Sequence, residues 1–221
     1  MKKLFWVMLL NLVIVGSVVA EQYPVPSNAT ILSSDDVLKH KTTDTTVFGS
    51  EGSAGQCFVI DLKGGRLDLD DLFGIVELRG QNTLIIMNGE LINNTEFLLS
   101  ASSGSTVIFS NVVMTLSATY EIVGDVALMF YGQCFVNGNA VDEQNPSFIN
   151  SSNASITIAA NSIVRLSAVD YQHANQEGEF IFGDPQTAQL QIGTKATFAV
   201  GDSYTKEVEF TRNDLVILTQ G

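Results

Sequence analysis

Leu84–Asn93 (LIIMNGELIN) and Val107–Leu116 (VIFSNVVMTL) decide the fold of this chain. Each is an apolar strand, a pair of small turn residues and a second apolar strand. The pattern recurs at Leu128–Asn137 (LMFYGQCFVN), Ile156–Arg165 (ITIAANSIVR) and Leu190–Ala199 (LQIGTKATFA), with starts 23, 21, 28 and 34 residues apart. A period in the low twenties, with longer loops spliced into later copies, is that of a β-solenoid. Each repeat of such a fold buries its apolar face only by stacking on its neighbours.

Side chains alternate in and out along a strand. Aligning the copies stacks Leu84, Val107, Leu128, Ile156 and Leu190, and two residues on Ile86, Phe109, Phe130, Ile158 and Ile192. These two columns are expected to face inward. Ile85, Ile108, Met129, Thr157 and Gln191 lie between them and are expected to face outward. At the turns stand Asn88-Gly89, Ser110-Asn111, Tyr131-Gly132, Ala160-Asn161 and Gly193-Thr194. A tight bend between two strands needs a left-handed residue, and Gly and Asn tolerate that conformation best. They should form a ladder along one corner.

Short apolar strands precede the later copies at Phe97–Leu99, Ile122-Val123, Phe148-Ile149 and Phe180–Phe182. They bring the count to three strands per turn. The expected fold is therefore all-β: a single-domain, right-handed parallel β-helix (β-solenoid) with an N-terminal cap. The alternative is an antiparallel β-sandwich, whose strands also alternate but which does not require Asn or Gly at matching turn positions.

The flanks divide the chain into a signal peptide (1–20), a leader and N-terminal cap (21–56) and the solenoid domain (57–221). Lys2 and Lys3 form a basic start, Leu4–Ile14 an apolar core, and small residues lead to a cleavage site after Ala20. The apolar run is shorter than the ~20 residues of a spanning helix, so no membrane insertion is expected after cleavage. Ser34–His40 (SDDVLKH) has the charge order of a short helix, acids first and bases last. It is placed as the cap. Loss of Lys2 and Lys3 takes the formal charge from −13 to −15. So acidic a surface repels phosphate backbones, which excludes nucleic acid as a partner.

The strand–turn–strand copies, the Asn/Gly corner and the signal peptide resemble the right-handed parallel β-helix (pectin-lyase-like) superfamily, over roughly residues 57 to 218. The signal peptide implies an extracellular, surface or periplasmic protein. The superfamily holds polysaccharide lyases and hydrolases, but also phage tailspikes and adhesins. Its lyases combine carboxylates that hold Ca²⁺ with an Arg or Lys that removes a proton. Its hydrolases gather two or three aspartates in one cleft. The NTD, GHG and RIK motifs of the pectin hydrolases do not occur here.

Asp68, Asp70 and Asp71 form the densest acidic cluster and are the candidate metal ligands. In Leu67-Asp68-Leu69-Asp70 the alternation puts both aspartates opposite the leucines, about 7 Å apart on one strand face. With Asp71 or a neighbouring loop they could hold Ca²⁺, which takes several oxygen ligands; no other cofactor is expected. Arg66 or Lys63 beside them could imitate a lyase base. The competing reading is a solvated outer strand face.

His40 and His173 are the two histidines, and neither has metal-ligand spacing around it. Gly138–Pro146 and Asp170–Glu179 read as inserted loops, which on repeat scaffolds often bind. Cys57 and Cys134 lie about three coils apart, ~14 Å along a stack with ~4.8 Å spacing. A disulfide spans only about 7 Å between Cα atoms, so both are expected as buried free thiols. Asn28, Asn93, Asn150 and Asn153 head Asn-x-Ser/Thr sequons.

The expected function is that of a non-catalytic secreted or surface protein, adhesin-like or a scaffold, binding extracellular glycans or proteins through its coil faces and loops. The alternative is a polysaccharide lyase or hydrolase acting at Asp68, Asp70 and Asp71. End-to-end self-association through Asp214–Leu218 (DLVIL) is a third expectation.

Overall fold

A computed structural model of the 221-residue chain describes residues 22–42, 45–72, 74–139, 144–151, 155–173, 180–184, 186–193 and 195–200. The signal-like segment, Asn153, Asp214–Leu218 and parts of both inserted loops lie outside the described residues.

The chain winds into a parallel β-solenoid of about 5 turns with three faces. The first face stacks β1 (Thr30–Leu32), β3 (Ala54–Asp61), the first half of β6 (Gln81–Asn93), the middle of β7 (Phe97–Leu116), the end of β8 (Tyr120–Tyr131), β11 (Ile156–Ile158) and β14 (Phe180–Phe182). The second face stacks β4 (Arg66–Asp68), the ends of β6 and β7, β9 (Gln133–Gly138), β12 (Ile163–Ser167) and β15 (Gln189–Ile192). The third stacks β2 (Thr46–Phe48), β5 (Ile75–Leu78), the starts of β7 and β8, β10 (Ser147–Asn150), β13 (Asp170–His173) and β16 (Thr197–Val200). Every pairing between these strands is parallel, which removes the sandwich alternative.

The inward columns run as the alternation requires for four copies. Leu84, Val107, Leu128 and Ile156 are in register, as are Ile86, Phe109, Phe130 and Ile158. All eight are buried in one core that fills the interior. Full burial of one such side chain contributes about 1.5–3 kcal/mol, so stacking like on like makes the wall its own support.

The fifth copy is a correction. Ile156–Ile158 pairs with Phe180–Phe182, not with Leu190–Ile192. Leu190 instead continues the second face, opposite Val164. The last spacing on the first face is therefore 24 residues, from Ile156 to Phe180, rather than 34. Asp170–His173 is likewise wall, as β13, and not part of an inserted loop.

The corner ladder is present. Asn88, Asn111, Gly132 and Asn161 have φ of 59°, 54°, 67° and 56°, all left-handed. Lys63 and Gly64 take the same conformation at that corner one coil earlier. The asparagine side chains tie coils together: Asn88 Nδ2 donates to Asp61 Oδ1 (3.1 Å), and Asn111 Oδ1 accepts from the Gln133 N–H (3.0 Å). Gly89 is required for space, since a Cβ there would fall 2.4 Å from Leu62 Cβ.

The start of the solenoid is closed by α1 (Ser34–Val37) and a 3₁₀ turn over Leu38–His40. Ser33 and Asp36 cap α1 reciprocally, as in a capping box. Val37 is fully buried in the core, and the His40 ring lies 5.0 Å from that of Phe48.

The outward column was only half legible. Ile85 and Ile108 do point away from the interior, yet both are buried. The leader crosses this face and covers it. Tyr23, Val25 and Ala29 pack on Cys57, Val59, Ile85, Met87 and Ile108 as a second apolar cluster. The Tyr23 N–H donates to Ser110 Oγ (3.1 Å), and its ring meets Tyr131 edge-on at 5.2 Å.

Candidate functional site

So acidic a wall must keep carboxylates from stacking directly on one another, because like charges in adjacent rungs repel. Hydroxyls interleave them. Thr95 Oγ1 donates to Asp70 (2.8 Å), Thr115 Oγ1 to Glu90 (2.9 Å), Ser103 Oγ to Asp125 (2.7 Å) and Ser151 Oγ to Glu121 (2.9 Å). Each pair joins neighbouring coils. Among the described residues, the ion pairs are Lys39–Asp36 (2.5 Å) and Arg79–Glu77 (2.6 Å).

The cluster at Asp68, Asp70 and Asp71 differs locally from a flat strand face. The strand ends at Asp68, and Leu69–Leu72 turns into a 3₁₀ helix whose Leu69 and Leu72 enter the core. Asp70 and Asp71 therefore leave the strand alternation. Asp68 Oδ1 accepts from the Asp70 N–H (3.1 Å) and so caps the turn. Asp70 Oδ1 accepts from both the N–H (3.1 Å) and the hydroxyl of Thr95 on the next coil. Two of the three carboxylates thus hold the chain's own donors. Among the described residues, no group of three or more His, Cys, Asp or Glu side chains is arranged to hold a metal ion.

Beside this turn, where the second face bends into the third, lies a groove of about 440 Å³. It spans three coils. Ile75, Leu98 and Glu121 occupy the same register on successive strands of the third face. Glu96 and Thr119 precede Phe97 and Tyr120 at the bend and complete the wall, with Gly74 at one end. Gly74 is left-handed (φ 71°), and a Cβ there would stand 2.9 Å from the Glu96 carbonyl oxygen. The groove joins aliphatic surface to two carboxylates. Glu96 is exposed and Glu121 half-buried, so both keep contact with solvent.

Sequence reasoning missed Glu96 and Glu121 because they are far apart along the chain and stand in no motif. Aligning the third-face strands, Gly74-Ile75, Phe97-Leu98 and Tyr120-Glu121, would have placed them together. His40 does not join the groove; it packs on the aromatic rings of the cap. His173 lies on β13, and its side chain falls outside the description.

Both thiols are free and buried, as expected from their spacing. Cys57 lies under the leader, whereas Cys134 lies in the core. Cys134 Sγ meets the carbonyls of Phe109 and Tyr131, each at 3.4 Å. Burial pushes its pKa up to about 11, so it is no nucleophile at neutral pH. Of the sequon asparagines, Asn93 and Asn150 are buried in the wall, and Asn28 is exposed at a turn of the leader. Among the described residues, no helix is long and apolar enough to cross a membrane.

Comparison of the chain with protein-family models, with curated proteins and with solved structures finds no match to any of them.

Proposed function

We propose that this protein is an exported, non-catalytic β-solenoid that binds extracellular glycans or protein partners through its outer faces. The observation that carries this reading is the groove at Ile75, Leu98, Glu96 and Glu121. A surface that joins aliphatic side chains to oriented polar groups has the composition of a binding site. The rigid wall holds those groups at fixed spacing without loss of order on binding. The basic and apolar start of the chain, Lys2 to Ala20, supports export. Membership of the right-handed, pectin-lyase-like β-helix superfamily is part of the proposal. The three-faced parallel stack and its asparagine corner support it.

The competing reading is a lyase or hydrolase at Asp68, Asp70 and Asp71. Against it stands the engagement of Asp68 and Asp70 with donors of their own chain. One experiment separates the two. Purified protein is incubated with acidic and neutral polysaccharides, with and without Ca²⁺, while new reducing ends, unsaturated-uronate absorbance and co-sedimentation are followed together. Retention without cleavage is the expected result. Cleavage that disappears in Asp70→Ala would overturn the proposal.

A further inference from the structure

The groove has a definite chemistry that narrows the class of its ligand, and the inference below rests on the binding role just proposed. Its aliphatic part comes from Ile75 and Leu98, both on the third face and adjacent in register. The two carboxylates lie beside that surface, Glu121 directly next to Leu98 on the following coil and Glu96 at the bend. Neither pairs with a cation among the described residues, whose two ion pairs lie elsewhere. Glu121 spends one oxygen on the Ser151 hydroxyl, which orients the carboxylate without neutralising it. The whole molecule carries a formal charge of −13, and such a field draws cations toward an acidic groove.

An aliphatic strip that ends in carboxylates is complementary to a side chain with an aliphatic stem and a cationic head. Arginine and lysine are built that way. Arginine suits the site better, since its planar guanidinium can donate to two carboxylates and is weakly hydrated. A neutral sugar would gain from the aliphatic strip and could donate hydroxyls to the carboxylates, but it would leave their two charges unneutralised.

We infer that the groove at Ile75, Leu98, Glu96 and Glu121 docks a basic, arginine-containing segment of a partner protein. The stem lies along Leu98 and Ile75 and the guanidinium reaches Glu121 and Glu96. The affinity falls with ionic strength, because part of it comes from solvent-accessible charge pairs.

The test measures binding of fluorescent hexa-arginine and retention on immobilised dextran, side by side, for four proteins. They are the wild type, the E96Q/E121Q variant, a Leu98→Ser variant and an E51Q/D35N control that removes the same charge away from the groove. Thermal midpoints confirm that all four are folded. The expected result is that hexa-arginine binding falls about tenfold in E96Q/E121Q, as loss of two partly exposed charge pairs implies. The control should keep most of its affinity, and Leu98→Ser should weaken binding without changing the charge. Equal losses in both double variants would overturn the inference, because the field of the whole molecule would then explain the binding. Dextran retention with no hexa-arginine binding would overturn it while leaving the binding role intact. Failure of both probes would count against both.

Discussion

The ring of Tyr120 lies 5.1 Å from that of Phe148, with their planes 13° apart, although 28 residues separate them in the chain. They are the middle of a ladder. Phe97, Tyr120, Phe148, Tyr171 and Phe198 share one register on the third face, with successive rings 4.9, 5.1, 5.2 and 5.1 Å apart. Coils stack at ~4.8 Å, which is also close to a favourable distance for offset stacked rings. The backbone repeat and the ring repeat therefore agree, and Tyr120, Phe148 and Tyr171 are each packed by an equivalent ring above and below.

Two of those rings carry hydroxyls with no use. The phenol oxygens of Tyr120 and Tyr171 are buried and have no hydrogen-bond partner among the described residues. A buried polar group left unpaired costs about 1–3 kcal/mol. Tyr120→Phe is therefore expected to leave urea stability unchanged or raise it by about 1 kcal/mol. Tyr120→Ala should lower it by about 3–5 kcal/mol through the cavity it leaves in the stack. A clear loss in Tyr120→Phe would show that the hydroxyl has a partner in solution.

The same burial makes the fold sensitive to alkali. Desolvation raises the pKa of both phenols well above the ordinary value of about 10. Below that value both states hold the proton, and stability is unaffected. Above it the unfolded chain ionises first, so stability falls as pH rises. Urea midpoints followed upward from pH 9 should decline more steeply in the wild type than in the Tyr120→Phe/Tyr171→Phe double variant. Parallel curves would refute the assignment.

The leader can be tested through the thiol beneath it. Cys57 is covered by the segment that carries Tyr23, Val25 and Ala29, whereas Cys134 is enclosed by the solenoid itself. A thiol reagent should therefore label Cys57 by local release of the leader and Cys134 only on global unfolding. Tyr23→Ala should speed the first reaction and leave the second unchanged. Equal labelling rates in the wild type would mean that the leader does not cover the face.

Asp70 should act on the fold. Its Oδ1 accepts two hydrogen bonds from Thr95 on the next coil. Asp70→Ala is expected to cost about 1 kcal/mol for this part-exposed contact. The loss should be the same in Ca²⁺ and in EDTA. A Ca²⁺-dependent rise in melting temperature that vanishes in Asp70→Ala would instead assign the cluster to metal.

The corner asparagines carry a backbone requirement that differs from their bonds. Asn111 has φ 54° and accepts from the Gln133 N–H. Asn111→Ala should cost about 1–2 kcal/mol for the left-handed conformation alone, whereas Asn111→Gly should lose mainly the hydrogen bond. Chemical denaturation of the two variants, measured together, separates the terms.

The alternation at Leu84–Ile86 and Val107–Phe109, and the Asn or Gly after each, determined the parallel stack, its inward columns and its left-handed corner. These features are local: each coil repeats the same strand period and the same bend, so they can be read from one stretch at a time. That Cys57 and Cys134 stay unpaired also followed, because the coil spacing bounds how far apart they stand. What the sequence could not determine is set by neighbours along the solenoid axis. Whether Ile156 stacks on Phe180 or on Leu190 depends on where the loops between them close, and both segments have the same apolar pattern. Whether Ile85 meets water depends on the leader folding back across it. Glu96 and Glu121 became one groove only when two coils set them side by side, since tertiary register, and not spacing along the chain, decides which carboxylates share a surface.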